Sequence, residues 1–220
     1  MSDPGDYLRT HYLTQAQFAA RGALTATELD RLLAQALVPQ PAYVVTAERM
    51  LVSAAFGSLA AVDEPAGGYF HPGCVSWVST ARRIEGQVGA RLAPGAFRRQ
   101  FLDNFVIAYR ECREEFRAPG FDPPAESAWL DFVQGTFGVC VADPSSERSI
   151  ACKEALQEVL SRLTDNGTRP SFSPSEAPGI RVLVDDYARC IMPFSPLEYA
   201  HSSRRRLVDE LLPRLVSASS

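Results

Sequence analysis

Lysine is almost absent from this sequence of 220 residues: of its 22 basic residues, only Lys153 is a lysine and the others are arginines. The chain therefore has a single side-chain amine that could act as a base, an acid or a Schiff-base former. Apolar residues recur at helical spacing around Lys153, which follows Gly135 and Gly138. We take Lys153 as a candidate catalytic residue; the alternative is a lone lysine on a solvated helix face.

Positive net charge and long apolar runs are also lacking. The formal net charge of -4 gives no overall attraction to nucleic acid or anionic lipid. No run approaches the roughly 20 apolar residues that span a bilayer, and the acidic N-terminus carries no apolar signal sequence. The sequence predicts a soluble, cytoplasmic protein without membrane contact.

Motifs that hold metals, cofactors or phosphates are missing as well. The five cysteines are widely spaced and never form Cys-x-x-Cys, which is typical of reduced thiols. His71 and Cys74 are three residues apart and could ligate zinc together, but no second clustered pair follows. Dinucleotide and Walker motifs do not occur. We expect no metal and no cofactor.

The first 61 residues contain clear helix signals. Thr14 to Gln17 and Thr25 to Glu28 have the form of capping boxes. They predict helices over residues 15–21 and 25–37, the second carrying leucines at helical spacing. Two further elements are predicted here, a strand over 43–45 and a helix over 46–61.

The order of these residues resembles a known group. Tyr12-Leu13-Thr14, Phe18-Ala19, the leucine-rich helix and Ala36-Leu37-Val38-Pro39 are similar to the helix-turn-helix opening of the MerR and excisionase winged-helix group. The charges do not favour DNA binding, because a recognition helix needs cations for the phosphates. The second helix offers Arg31 beside two acids. We therefore expect the fold without sequence-specific DNA binding.

A Pro- and Gly-containing segment, residues 62–68, separates this module from a longer helical region. Gly135 and Gly138, three apart around Phe137, suit a tight connection where backbone approaches another element closely. The elements predicted here are helices near 95–117, 125–134, 145–164, 180–191 and 197–212, and a strand at 137–141. The predicted fold is mainly α, with a winged-helix-like module (residues 1–61) packed on a larger α-helical domain (69–220).

Two further groups of residues are candidates for a site. Ser202, Ser203, Arg204 and Arg206 place hydroxyls and guanidiniums near a possible helix start, which is what an anion site needs. If that helix begins earlier, the arginines lie on a plain helix face. His71 follows aromatic residues near a Gly-Gly loop and is a candidate for proton transfer, the alternative being a helix-entry residue bonded to backbone.

Several short motifs in residues 69–210 resemble an uncharacterised bacterial family labelled as a natural-product biosynthesis protein. They are Tyr69-Phe70-His71-Pro72-Gly73, Gly135-Thr136-Phe137-Gly138-Val139-Cys140, Lys153-Glu154, Pro193-Phe194-Ser195-Pro196 and Ser202-Ser203-Arg204-x-Arg206-Leu207-Val208-Asp209. The resemblance implies a pathway context without a known reaction. It includes Lys153, His71, Arg204 and Arg206 as matched polar positions.

Three functions remain open on this basis. The first is an accessory protein or enzyme of specialised metabolism, with Arg204 and Arg206 holding an anionic small molecule or a pathway protein and Lys153 or His71 transferring a proton. The second is a metabolite-sensing transcriptional regulator. The third is a protein-interaction module without chemistry. Convergence of Lys153, His71 and residues 202–206 on one pocket would favour a site, and their dispersal would favour docking.

Overall fold

The computed structural model describes residues 3–116 and 122–218, most of which are helical. The α-helices in these ranges are α1 (Pro4–His11), α2 (Gln15–Arg21), α3 (Ala26–Ala34), α4 (Ser76–Val88), α5 (Ala93–Glu115), α6 (Ala125–Gln134), α7 (Thr136–Cys140), α8 (Glu147–Leu163), α9 (Ala177–Cys190) and α10 (Leu212–Ala218). The strands are β1 (Leu13–Thr14), β2 (Tyr43–Val45), β3 (Met50–Ser53), β4 (Gly57–Ala61) and β5 (Gly67–Phe70). The mainly α fold is confirmed. None of the described helices has both the length and the apolar character needed to cross a bilayer.

The two capping boxes start α2 and α3 as predicted. The Thr14 hydroxyl accepts a hydrogen bond from the backbone N–H of Gln17 (3.3 Å), and the Gln17 side chain accepts one from the Thr14 N–H (2.9 Å). Thr25 and Glu28 make the same reciprocal pair. These bonds satisfy backbone donors that a helix start leaves free, so a few neighbouring residues fix the helix start.

Residues 46–61 form a hairpin, so the helix predicted there is wrong. β3 and β4 pair antiparallel, with Val52 opposite Ser58. Leu51 and Ser53 are buried, whereas Met50 and Val52 are only partly buried, which is the two-residue alternation of a strand. Gly57, with φ 73°, lies where β4 begins, in a left-handed conformation that a continuous helix does not contain.

The sheet has the strand order β1-β5-β2-β3-β4, and all neighbouring strands are antiparallel. β5 lies between β1 and β2, with Leu13 opposite Phe70 and Tyr43 opposite Tyr69. Along the chain, α1, β1, α2, α3 and β2 come first, and the β3–β4 hairpin is inserted before β5. The tip of this hairpin reaches the helical region, where the Phe56 ring lies edge-on to the Phe194 ring.

Two hydrophobic clusters hold the elements together. The first joins α5 to α4 and α6 and also includes Phe18 of α2 and Leu29 of α3. The second joins β2 and β3 to α8 and α9. Each cluster has members on both sides of residues 62–68, and the division into domains at this segment stays a prediction. The predicted end of the long helix at Arg117 lies outside the described residues.

Cys112 of α5 and Cys152 of α8 form a disulfide, with their Cα atoms 5.3 Å apart. The expectation that all thiols are reduced is wrong for this pair. The two cysteines are 40 positions apart in the chain and meet because α5 packs along α8, which no local pattern reveals. Cys74, Cys140 and Cys190 are free thiols.

Two elements of the C-terminal half differ from the prediction. α7 occupies the segment where a strand over 137–141 is expected, and Val141 pairs with Ile191 in an isolated bridge. The helix expected over 197–212 is interrupted at Ser202, whose backbone is extended. A π-helical turn, Arg205–Asp209, and α10 follow. Pro213 lies in the first turn of α10, where a missing N–H costs nothing, and therefore begins a helix instead of ending one.

Candidate functional site

Lys153 is buried within α8, with 3% of its surface exposed. Ser146 caps the start of this helix, because its hydroxyl accepts a hydrogen bond from the Ser149 N–H. The Lys153 ammonium donates to Glu154 Oε1 (2.8 Å) and to Gln157 Oε1 (2.7 Å). The interpretation of Lys153 as a lysine on a solvated helix face is therefore wrong.

The charge state of Lys153 follows from these contacts. Burial is the largest single effect and disfavours the ammonium, but the neighbouring groups together, Glu154 foremost, outweigh it and raise the pKa of Lys153 above its usual value. Lys153 is therefore protonated at neutral pH and cannot act there as a base. An ammonium has three N–H donors, and the contacts to Glu154 and Gln157 use two of them, which leaves one for a ligand.

A cavity of about 190 Å³ lies beside this ammonium. Its lining combines polar side chains from α6, α7 and α8 with three phenylalanines and a serine: Phe56, Asp131, Thr136, Phe137, Cys140, Lys153, Glu154, Gln157, Phe194 and Ser203. Burial raises the pKa of the Cys140 thiol to about 12, so this cysteine is not a thiolate nucleophile at neutral pH. Burial and then the nearby Glu154 raise the pKa of the Asp131 carboxyl. We call this space the Lys153 cavity.

A chain of hydrogen-bonding groups connects α8 to α9 and to the segment after α9. Gln157 Oε1, which already accepts from Lys153, also accepts from the Tyr187 hydroxyl (2.8 Å). The Tyr187 hydroxyl lies 3.0 Å from Ser203 Oγ. Lys153 and Ser203, both predicted site residues, therefore belong to one polar network, and both line the cavity.

Phe194 carries backbone strain at the edge of the Lys153 cavity. Its φ is 62°, in the left-handed region that bulky residues rarely adopt. Such a conformation costs on the order of 1–3 kcal/mol and is concentrated at ligand sites and clamps. The Phe194 ring is held edge-on against Phe56, with centroids 6.0 Å apart. Both rings line the cavity, together with the polar groups of α8.

His71 lies apart from this cavity. Its Nδ1 accepts the Gly73 N–H (3.0 Å), which caps the turn that precedes α4. Burial lowers the pKa of His71 to about 4, with a smaller opposing effect of Asp143. The imidazole is therefore neutral at neutral pH, and the Cβ of His71 lies near Gly138 of α7. The structure does not bring His71 to the Lys153 ammonium, although both flank the same short helix.

The remaining predicted ligand-binding residues point to different places. Ser202 Oγ donates to Tyr199 O (2.8 Å) and accepts the Arg205 N–H (3.2 Å), as a capping residue does. Arg204 approaches the carbonyl groups of Ala188 and Ile191 at the end of α9 (3.4 Å each). Arg206 lies beside Gly167, which precedes α9 in the chain. Among the described residues, no hydrogen-bond partner is shared by Arg204 and Arg206, and an anion at this segment stays a prediction.

Sequence reasoning missed several members of the site, among them Tyr187, Asp131 and Glu154. Tyr187 lies on α9 and Asp131 on α6, and no spacing rule links them to Lys153. Glu154 is adjacent to Lys153, and adjacent residues on a helix face different directions. The two side chains meet because both are long. The part of the chain that the structure describes contains no group of three or more His, Cys, Asp or Glu residues placed to hold a metal ion.

Comparison with known proteins places the chain in a family. No curated protein and no solved structure matches it significantly. A family model described as a family of unknown function, DUF6058, matches residues 96–215, which is more than half of the chain. The matched region contains every residue that lines the Lys153 cavity except Phe56. The chain therefore belongs to the DUF6058 family.

Proposed function

We propose that the protein binds a small polar molecule in the Lys153 cavity, as an accessory protein or enzyme of the specialised metabolism that the sequence resemblance implies. The observation that carries this proposal is a buried, protonated Lys153 with one N–H left for a ligand at the wall of a cavity. Buried charges are otherwise retained only when they are paired and fully hydrogen-bonded. The strained Phe194, which also lines the cavity, supports the same conclusion.

The ligand group that suits this cavity is an uncharged oxygen acceptor, such as an amide or ketone carbonyl. Glu154 lies 2.8 Å from the ammonium and already balances its charge, and Asp131 adds a second carboxyl group. An anion entering the cavity would meet no net positive charge, whereas a carbonyl oxygen needs only the remaining N–H. At about 190 Å³ the cavity is below the usual 300–1,000 Å³ of ligand pockets. It fits a small molecule or one end of a larger one.

Acetamide and acetate, which have nearly the same shape and differ in charge, test this proposal. In NMR titrations of ¹⁵N-labelled protein, we expect acetamide to shift the Gln157 and Ser203 amide signals in a saturable way, and acetate to do so more weakly. Replacing Lys153 with Met should weaken acetamide binding about tenfold, because one hydrogen bond to a charged group is lost. The side-chain signal of the chain's one lysine reports on the same contact.

Glu158→Gln on the exposed face of α8 is the matched control and should bind acetamide as the wild type does. Circular dichroism checks that both variants are folded. Equal binding of acetamide by wild type and Lys153→Met would contradict the proposal. Tighter binding of acetate than of acetamide would keep the cavity as a site and return the ligand to the anionic class that the sequence suggests.

We further propose that residues 3–70 have a winged-helix fold. The order helix, strand, two helices, then two strands supports it, as does the central position of β5 between β1 and β2. In this interpretation α2 and α3 are the helix-turn-helix and the β3–β4 hairpin is an insertion in the wing. Phe56, between the two strands of this hairpin, lines the Lys153 cavity.

DNA binding does not follow from this fold. Arg31 is the cation on α3, and its guanidinium pairs with Glu85 of α4 (NH2 to Oε2, 3.3 Å) and with Gln35. At physiological salt, we expect the wild type to bind duplex DNA non-specifically or not at all. The Arg31→Ala variant should behave in the same way. The free energy of unfolding should fall by less than about 1 kcal/mol, as for other exposed ion pairs. Fluorescence anisotropy of a labelled duplex measures DNA binding, and urea unfolding measures the free energy of unfolding. Tight, sequence-selective binding that Arg31→Ala abolishes would contradict the prediction.

A further inference from the structure

Two neighbouring open spaces lie along α2, on different faces of this helix. The first, of about 480 Å³, is lined mostly by small apolar residues, among them Ala16 and Ala19 of α2. The second, of about 550 Å³, has a more polar lining, to which α2 contributes Gln17 and Arg21. We call them the apolar groove and the polar pocket. Their volumes lie within the usual range for ligand sites.

The apolar groove and the polar pocket share a boundary, because Thr14, Pro65 and Tyr69 line both. Thr14 lies opposite Tyr69 in the β1–β5 pair, and the Tyr69 hydroxyl donates to Pro65 O (2.9 Å). Sheet pairing and this hydrogen bond therefore fix the boundary. A ligand that extends from one space into the other passes these three residues. The residues that line the two spaces do not line the Lys153 cavity.

The two arginines of the polar pocket differ in how their charge is balanced. Arg9 pairs with three carboxylates, those of Asp3, Asp6 and Glu64. Arg21 is exposed at the end of α2, and its side chain makes no hydrogen bond or ion pair with any of residues 3–116 and 122–218. A second guanidinium, that of Arg82, donates to the carbonyl group of the residue after Arg21 (3.1 Å). An anion in the pocket therefore meets accessible, unbalanced positive charge at Arg21.

We propose that the two spaces together bind an aliphatic carboxylate of medium chain length, with its carboxylate on Arg21 and its hydrocarbon chain in the apolar groove. The planar guanidinium matches the two oxygens of a carboxylate. Transfer of the chain from water to the apolar lining is favourable. A flexible chain suits the site because Arg21 and the groove lie on different faces of α2. An ammonium ligand does not suit it, since Glu64, the carboxylate of the lining, is buried and paired with Arg9.

NMR titration with sodium octanoate tests this proposal, with 1-octanol as the uncharged control of similar shape. We expect octanoate to shift the amide signals of Gln17 in the polar pocket and of Ala19 and Gly67 in the apolar groove in a saturable way. Octanol should bind about tenfold more weakly, because it lacks the charge. Arg21→Gln should weaken octanoate binding about tenfold for the same reason. Arg110→Gln, at an exposed arginine of α5 that lines neither space, is the matched control.

A second pair of variants tests the place of the hydrocarbon chain. Ala16 is exposed and lines the apolar groove, so Ala16→Phe should fill part of it and weaken octanoate binding about tenfold. Ala20→Phe, at an exposed position of α2 that lines neither space, should bind octanoate as the wild type does. Circular dichroism checks that all variants are folded.

Several results would overturn the proposal. They are equal binding of octanol and octanoate, wild-type binding by Arg21→Gln, equal binding by Ala16→Phe and Ala20→Phe, and the absence of any saturable shift. Shifts confined to Gln157 and Ser203 would also overturn it, because they would place octanoate in the Lys153 cavity.

Discussion

Replacing Gly135 with alanine should lower the free energy of unfolding by about 3 kcal/mol or more. Gly135 ends α6 with φ 85°, a left-handed conformation that costs a non-glycine residue roughly 1–2 kcal/mol. A Cβ at this position would lie 2.4 Å from Gln40 O and 2.7 Å from Pro41 O, closer than real Cβ atoms approach other atoms. Both obstacles are backbone atoms, so a rotamer change cannot relieve the contact.

The surrounding backbone is held on both sides of this contact. The Gln40 N–H donates to Val133 O at the end of α6 (3.1 Å), which ties residues 40 and 41 to the same turn.

Gly86→Ala in α4 is the matched control, because its Cβ meets no other atom within 4 Å. It should stabilise the protein by about 0.5–1 kcal/mol, the usual gain of alanine over glycine inside a helix. Urea unfolding of the three proteins measures both effects; a Gly135→Ala variant as stable as the wild type would show that the turn does not approach residues 40–41.

The sequence predicts this close approach but not the element that makes it. Gly135 and Gly138 flank Phe137, and both lie against the segment that leads into β2: a Cβ on Gly138 would lie 3.0 Å from Ala42 Cβ. The spacing of the glycines indicates backbone contact whatever the local structure is. It does not distinguish a one-turn helix from a short strand, because five residues are too few for either period to be read.

Signals confined to a few neighbouring residues were the reliable ones. α2, α3 and α5 were predicted because capping boxes and long apolar stripes are contained within each helix. The β3–β4 hairpin and the break at Ser202 depend on contacts with distant segments, and there the prediction failed. The site divides in the same way. Lys153 was identified because it is the one lysine, and Ser203 because it lies beside guanidiniums near a possible helix start. Their connection depends on tertiary packing, because Tyr187, which links them, is 30 positions from Gln157 and 16 from Ser203.

Acid should destabilise the protein through His71, by about 3 kcal/mol between pH 7.5 and pH 4. Burial lowers the pKa of His71 from 6.5 to about 4, with a smaller lowering effect of His11 and a raising effect of Asp143. The unfolded chain therefore binds a proton more readily than the folded protein does between these two values. Stability from the neutral imidazole is complete above pH 6.5 and is lost as the pH falls toward 4, at about 1.4 kcal/mol per pH unit.

Comparison with His71→Asn isolates this contribution from the titration of carboxylates, which both proteins share. Asparagine can still accept the Gly73 N–H as a capping residue, and it does not titrate. The difference in unfolding free energy between the two proteins should change by about 3 kcal/mol over this pH range, and His201→Asn controls for the loss of an exposed imidazole. A parallel pH dependence in wild type and His71→Asn would contradict the prediction.

Because Nδ1 accepts the Gly73 N–H, the imidazole carries its proton on Nε2. A measured pKa near 4 would therefore make His71 a capping residue with little capacity for proton transfer at neutral pH, and any chemistry would fall to the groups around Lys153.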